Sequence, residues 1–412
     1  MNSLSSGIIL RLKKSRNEAK QLKSEYFGGF FACLCSMLIE RGYSKELIRS
    51  KKLIAKINNP VVNYYLARAY FLNGKYKEVV LCLENTIDNN CHAESYYLLS
   101  ESYRILNDRA KSWDILRIIL CRSKRLKTWL YMANLVDSKE EFLDLYALWH
   151  SYQLKNIIPK YHYELNGYIA TAALRAKQFD YSLAIWKDFI NNIPLGNCVF
   201  PTHSKKQFSL NAANDALKDL RTIFNDNNIE FFLISGTLLG CIRNGQLLSH
   251  DKDIDVGIWY NSERNNLINI LSSSGYFEFH AFRSQHVIRI KHVNGISIDV
   301  FYHYKEQDNY WHGGVKLKWN NTPFLLKDHR FLGVVFKIPE NYDLYLTENY
   351  GNWKIEQKDF DSAFGTPNAE ILNRYEMKAH IYKCMALSLH SGENFKIKSL
   401  QKKLDDIDSN VF

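Results

Sequence analysis

The chain has 412 residues, 46% of them hydrophobic and 24% charged, with a net charge of +11. That is the balance of an ordinary folded protein, with room for two domains of roughly 100–200 residues each. Seven prolines and no low-complexity tract argue against long disordered linkers. The placement of the charge is uneven: residues 1–200 hold 29 Lys/Arg against 18 Asp/Glu, whereas residues 201–412 hold 25 of each. The first half is therefore the one expected to meet an anionic partner. An anionic membrane face, a phosphorylated glycan and nucleic acid all qualify on charge alone. The eight cysteines (33, 35, 82, 91, 121, 198, 241 and 384) show no CxxC pair and read as reduced thiols. Met1 to Lys14 lacks the ordered regions of a signal peptide, which gives a cytoplasmic expectation. Peripheral contact with the inner face of the membrane is compatible with that expectation.

In chain order, the Lys/Arg-rich stretch Ile8 to Lys23 reads as a helix that suits either a solvated first repeat or an anionic membrane surface. The longest apolar run, Phe27 to Ile39, is 13 residues long and contains two Gly and a Ser. That is too short to span a bilayer and reads as a buried helix. Residues 1–195 continue in helical period, and a weak self-similarity runs through them. Leu66-Ala67-Arg68-Ala69-Tyr70 aligns with Leu99-Ser100-Glu101-Ser102-Tyr103, and the turn residue Gly74 falls opposite Asn107. Further copies centre on Met132-Ala133-Asn134 and on Ala170-Thr171-Ala172. Small residues on one helix, a polar turn and a second amphipathic helix resemble degenerate tetratricopeptide-type repeats; an irregular helical bundle is the alternative. Asn191 to Thr202 collects Pro, Gly and Asn and reads as a linker. The domains expected are 1–195, helical, and 205–412.

The second domain mixes helices and strands. Helices are expected at Asn211 to Asn225, Thr237 to Arg243 and Glu263 to Leu271. Strands are expected at Glu230 to Ile234, Ile254 to Trp259, Phe277 to Phe282, His286 to His292 and Ile296 to Tyr304, with a hairpin turn at Asn294-Gly295. The fold class is α+β: an all-α repeat domain followed by a mixed-sheet domain.

Three features belong together chemically. A strand ends at Ser235-Gly236 and feeds a helix; glycine lets a phosphate approach the backbone, and the helix start offers free N–H groups. Asp253 and Asp255 flank Ile254 at the start of a strand, where a period of two puts both carboxylates on one side. Two such anions suit Mg²⁺ or Mn²⁺, which prefer oxygen ligands. Asp299 sits between apolar Ile298 and Val300, a costly place for a carboxylate without a partner. Arg289 and Lys291 share one face of a strand ahead of Asp299 and suit either a phosphate or an exposed sheet edge. Trp311-His312-Gly313-Gly314 and Trp319 suit a sugar or base pocket, or simply a core. His250, His286, His292, His303 and His312 lack helical ligand spacing and read as structural.

This constellation resembles the nucleotidyltransferase-fold superfamily and, more closely, the LicD and fukutin families of phosphotransferases. The matching residues run from Ser235-Gly236-Thr237-Leu238-Leu239-Gly240, Arg243 and Gly245 through Asp251-Lys252-Asp253-Ile254-Asp255 to Asp299-Val300-Phe301. Gly333, Ile338-Pro339, Tyr345-Leu346 and Tyr350-Gly351-Asn352-Trp353 also fit. Ser249-His250 stands where the family often has Pro-Trp or Pro-His. The resemblance implies a transferase in which Asp253 and Asp255 coordinate Mg²⁺ or Mn²⁺ and Asp299 is a third ligand or a base. Ser235, Gly236, Thr237 and Arg243 would hold donor phosphates, with Arg289 and Lys291 nearby. Asp251 is a ligand, an orienter of His250 or Arg243, or a turn residue. The implied reaction moves a phospho-substituent, phosphocholine or an alditol phosphate, from a CDP-linked donor to a hydroxyl of a cell-surface glycan, as in capsule, teichoic acid or lipopolysaccharide assembly. The basic half would meet the polymer, an anionic membrane surface or a protein partner; nucleic acid ranks last. The alternatives are a nucleotidyltransferase using CTP or another NTP on a small phosphorylated substrate, and a non-catalytic repeat scaffold with a degenerate domain.

Overall fold

A computed structural model describes residues 26–57, 59–84, 93–201, 209–261, 264–357 and 360–409. The expected helix at Ile8 to Lys23 lies outside them. Residues Tyr26–Glu40 form a helix whose Ala32, Cys35 and Ile39 are buried while Phe30 is exposed, so the longest apolar run packs by one face. No helix among the described residues is long and apolar enough to cross a membrane.

Four helix pairs follow, and each coincides with one of the expected repeats. They are Pro60–Leu72 with Tyr76–Glu84, Ala93–Ile105 with Arg109–Arg122, Leu126–Leu135 with Lys139–Leu154, and Tyr163–Arg175 with Phe179–Asn192. Local chemistry sets their ends. Asn59 caps the first helix by accepting the N–H groups of Val61 and Val62, with Pro60 at the first helical position. Asp108 and Ser138 cap later helices in the same way. The small residues do what their spacing suggested: Ala67, Ala69, Ser100, Ser102, Ala170 and Ala172 are buried where helices meet. Ser100 and Ser112 share a hydrogen bond of 2.8 Å across one pair, an approach that larger side chains would forbid.

The expected linker stays attached to the helical half. Ile193–Leu195 is a single 3₁₀ turn, and Cys198–Val199 (β2) pairs in parallel with Tyr161–His162 (β1). The chain also returns to that half at its far end. The helix Arg374–Ser391 packs on Phe179–Asn192, and its Ala379 and Ala386 enter the helical core.

Between these, the sheet domain is built on three central strands: Phe231–Leu233 (β3), Asp253–Trp259 (β4) and Ser297–Lys305 (β7). β3 is antiparallel to β4, and β4 is parallel to β7. β7 carries Val287–His292 (β6) on its first half and Tyr310–Gly313 (β8) on its second, both antiparallel, so the sheet branches there. Phe277–Phe279 (β5) lies beyond β6, and Leu317–Asn321 (β9) then Ala369–Ile371 (β12) lie beyond β8, all antiparallel. Val334–Pro339 (β11) extends the other edge in parallel with β3 and forms a hairpin with Leu326–Phe331 (β10). The sheet is mixed, and the fold is α+β as expected. Ile254, Val256, Ile298 and Val300 are wholly buried and bind the two central strands into one core. Gly257 is required there: a Cβ on it would lie 2.6 Å from Phe232 and 2.7 Å from His303.

Candidate active site

β3 ends at Leu233, and the helix Ser235–Asn244 begins after one intervening residue, Ile234. Ser235 has φ of +47°, a left-handed backbone that costs a residue with a side chain and that recurs at functional sites. Gly236 follows, and a Cβ there would collide with the Asp251 carboxylate. The backbone at the helix start is therefore bare on the side that faces the acids. Asp255 is tied to the same turn twice. Its N–H donates to Thr237 Oγ1 at 2.8 Å, and its carboxylate accepts the N–H of Gly236.

The parallel register of β4 and β7 sets Asp255 directly opposite Asp299, with Ile254 opposite Ile298 and Val256 opposite Val300. One carboxylate oxygen from each of Asp253, Asp255 and Asp299 lies within 4.8 Å of the other two. On the far side of β7, Arg289 faces Asp299 across the β6 ladder, and its Nε donates to Asp299 Oδ2 at 2.9 Å. Asp299 is 7% exposed.

The electrostatics record crowding. Burial, then Asp253, Asp299 and Asp251, raise the Asp255 carboxyl well above the ordinary range. Burial, then Asp299, push Asp253 up to about 6 against the pull of Arg289 and Lys252. Burial, then Asp253, push Asp251 up to about 6. Asp299 is raised by burial and held back by Arg289. Clustered carboxylates that resist ionising together lack positive charge, and three oxygens that close suit a hard divalent cation. The residues present thus fit Mg²⁺ or Mn²⁺.

These groups line a cleft of about 450 Å³ that also takes in Ser235, Gly236, Arg243, His250, Trp319 and Trp353. Arg243 does more than line it: its Nη1 donates to the Trp353 carbonyl at 3.2 Å, joining the first motif to the late Tyr350-Gly351-Asn352-Trp353 stretch. Lys291 is placed elsewhere. It shares a strand with Arg289, but it lines a separate cavity against the helical half with Arg68 and Glu278. Of the aromatic candidates, Trp319 reaches the cleft, whereas Trp311 stacks on Tyr304 at 4.2 Å. His286 bonds the Tyr304 hydroxyl, and His292 bonds Asp219. His303 and His312 stack at 4.4 Å in the core, where burial pushes His303 down to about 3 and keeps it neutral.

Sequence reasoning missed Lys316, Asn349 and Phe360, which also line the cleft. It missed the register as well, although a signal existed: Ile254-Asp255-Val256 and Ile298-Asp299-Val300 are the same tripeptide, and they pair residue for residue.

The mixed sheet thus gathers three carboxylates beside a glycine-floored helix start. Residues 228–341 match the family described as LicD/FKTN/FKRP, nucleotidyltransferase domain, and the chain carries a domain of that family. Among individual proteins it is similar to ribitol-5-phosphate transferase FKTN of Mus musculus, 27% identical over 197 residues, which is 45% of this chain and 41% of that protein. The Homo sapiens counterpart is 27% identical over 169 residues, 39% of this chain and 37% of its own length. The chain thus spans less than half the length of these curated relatives.

Proposed function

We propose that this protein is a metal-dependent phosphotransferase that moves a phospho-substituent, phosphocholine or an alditol phosphate, from a CDP-linked donor to a hydroxyl of a glycan. The observation that carries the reading is the in-register meeting of Asp255 and Asp299, with Asp253 beside them and the bare Gly236 turn on the same cleft. The activity for which the FKTN relatives are named, ribitol-5-phosphate transfer, belongs to the same reaction class.

In this reading Asp253, Asp255 and Asp299 hold Mg²⁺ or Mn²⁺. The bound cation supplies charge stabilisation for the oxygens of the transferring phosphoryl group. The acceptor hydroxyl oxygen forms a bond to the donor's distal phosphorus while the bond from that phosphorus to the CMP oxygen breaks, and CMP leaves. Asp251 lines the cleft outside the three-carboxylate group and is left to take the hydroxyl proton. Gly236 and the N–H groups of the helix start face the donor phosphates. Arg289 orients Asp299 and, with Arg243, adds positive charge at the wall.

The test is direct. Incubation with CDP-choline, CDP-ribitol or CDP-glycerol, Mg²⁺ and a candidate glycan should release CMP from one donor in an acceptor-dependent way. Pyrophosphate release from CTP with a phosphorylated substrate, and no CMP from any CDP donor, would instead establish the nucleotidyltransferase alternative.

A further inference from the structure

Among the described residues, two groups of three side chains converge closely enough to share one ion. The first is the carboxylate group of the cleft. The second joins Asp361 to His380 and Cys384, and one ligand atom from each lies within 4.8 Å of the other two. Its chemistry is different: an imidazole, a thiol and a single carboxylate, where the cleft offers oxygens alone.

Two of the three come from one helix. His380 and Cys384 are four residues apart on Arg374–Ser391, so they stand one turn apart on the same face. Cys384 Sγ lies 3.7 Å from His380 Nε2. A tetrahedral zinc ion, with bonds of about 2.3 Å to sulfur and about 2.0–2.1 Å to nitrogen, holds such a pair about 3.5–3.6 Å apart. The helix itself is well anchored, because Met377, Ile381 and Met385 enter a core with Ala363 and Leu317. Asp361 arrives from outside the helix. Its Oδ1 accepts the Ala363 N–H at 2.8 Å, and the Phe364 ring packs 5.5 Å from the His380 ring. Supporting contacts of this kind orient the ligands of a metal. Asp361 reaches solvent while His380 and Cys384 are half-buried, so an ion has a route in.

A thiol–imidazole hydrogen bond explains the helical pair but not the carboxylate brought beside both. Burial pushes the Cys384 thiol up to about 11, which argues against a nucleophilic thiolate. Lys316 and Lys383 line a cavity with His380. One thiolate and one carboxylate cancel the charge of a zinc ion, so these lysines face a neutral centre. Thiolate and imidazole together select zinc over Mg²⁺ or Mn²⁺.

We propose that Asp361, His380 and Cys384 form a zinc site, separate from the Mg²⁺ or Mn²⁺ centre, with water in the fourth position. Residues 360–366 contain only turns and bends, yet Phe360, Ser362 and Thr366 line the carboxylate cleft. A zinc ion on Asp361 fastens that wall of the cleft to the helix Arg374–Ser391. The site stands on its own residues, whether or not the cleft transfers a phosphoryl group.

The full chain, held in excess Mg²⁺, is titrated with Co²⁺ as a visible stand-in for zinc. One equivalent should produce a thiolate-to-cobalt charge-transfer band in the near ultraviolet, which oxygen ligands cannot give. Cys384→Ser should abolish the band, and Asp253→Asn should keep it. Against a chromophoric chelator, His380→Gln and Cys384→Ser should each weaken zinc binding at least about a hundredfold, beyond the usual cost of a lost supporting contact. X-ray absorption of the wild-type chain with one equivalent of zinc should show one sulfur at about 2.3 Å, a reading that survives if a variant fails to fold. Zinc should also slow hydrogen exchange across 360–366 in wild type and not in Cys384→Ser. Cobalt binding without the band, a zinc shell of oxygen and nitrogen alone, or a band that survives Cys384→Ser would overturn the site. Unchanged exchange across 360–366 would overturn the fastening role. CMP release enters none of these readings, so their failure leaves the transferase proposal standing, and the reverse also holds.

Discussion

Replacing Asp253 by Asn should stabilise the metal-free protein and destabilise the metal-loaded one relative to wild type. The Asp253 carboxyl is raised from an ordinary 3.8 to about 6 by burial and by Asp299. A raised folded-state pKa means that the folded chain holds the proton more tightly than the unfolded one. Stability is therefore lost as pH climbs from about 4 through about 6, and the full cost is present above that. Two units correspond to roughly 3 kcal/mol, and discounting for the partial exposure of the group leaves about 1–3 kcal/mol. The variant should thus melt a few degrees above wild type at pH 7.5 in EDTA. The difference should vanish below about pH 4, where both states bind the proton. Magnesium reverses the order, because a ligand at one hundred times its dissociation constant stabilises by about 2.7 kcal/mol and the variant has lost one of three carboxylate ligands. Scanning calorimetry of both proteins at pH 3.5 and 7.5, with EDTA and with Mg²⁺, reads all four corners. A metal-free variant no more stable than wild type at pH 7.5 would refute the crowding argument. A variant that keeps the full magnesium shift would refute the ligand assignment.

Gly236→Ala places a methyl against the Asp251 carboxylate. It should raise the KM for the donor at least tenfold with little change in melting temperature, measured by CMP release. Arg289→Ala removes the bond that aims Asp299 and should lower kcat/KM about a hundredfold, a typical loss for one charged group at a transition state. Arg289→Lys, which retains charge without the same geometry, should recover only part of that loss. Arg243→Ala breaks the link to the Trp353 carbonyl and should cost about 1–2 kcal/mol in urea unfolding, as for a hydrogen bond to a charged donor. Gly257→Ala forces Phe232 and His303 apart and should destabilise by about 1–3 kcal/mol in the same assay; a neutral result would mean the strand contact is looser than it looks.

What could be read in advance follows from how local the signal is. The period-two pattern of Asp253-Ile254-Asp255 and the apolar flanks of Asp299 fixed which face each carboxylate takes, because strand geometry alone decides it. The four helix pairs were legible from small residues and turns, since each pair is built from neighbours in the chain. The strands after Tyr304 were not: Val334–Pro339, which holds Leu326–Phe331 in a hairpin, joins the sheet through β3, a strand far earlier in the chain. Lys291 shows the limit of period two. The pattern gave its face correctly, but one step along β6 from Arg289 the strand has left the cleft and meets the helical half. Lys316 follows β8 in a connection without any motif, and its place in the cleft depends on the sheet's branch at β7. The return of Arg374–Ser391 onto the first half rests on tertiary packing that no local pattern announces.

Three carboxylates sharing one divalent ion are the centre of the proposed chemistry. Crystals soaked in Mn²⁺ and measured at a wavelength where manganese scatters anomalously place that ion directly. A peak within coordinating distance of Asp253, Asp255 and Asp299, absent in Asp253→Asn crystals, is the predicted result. Saturating Mn²⁺ with no peak among them would contradict it.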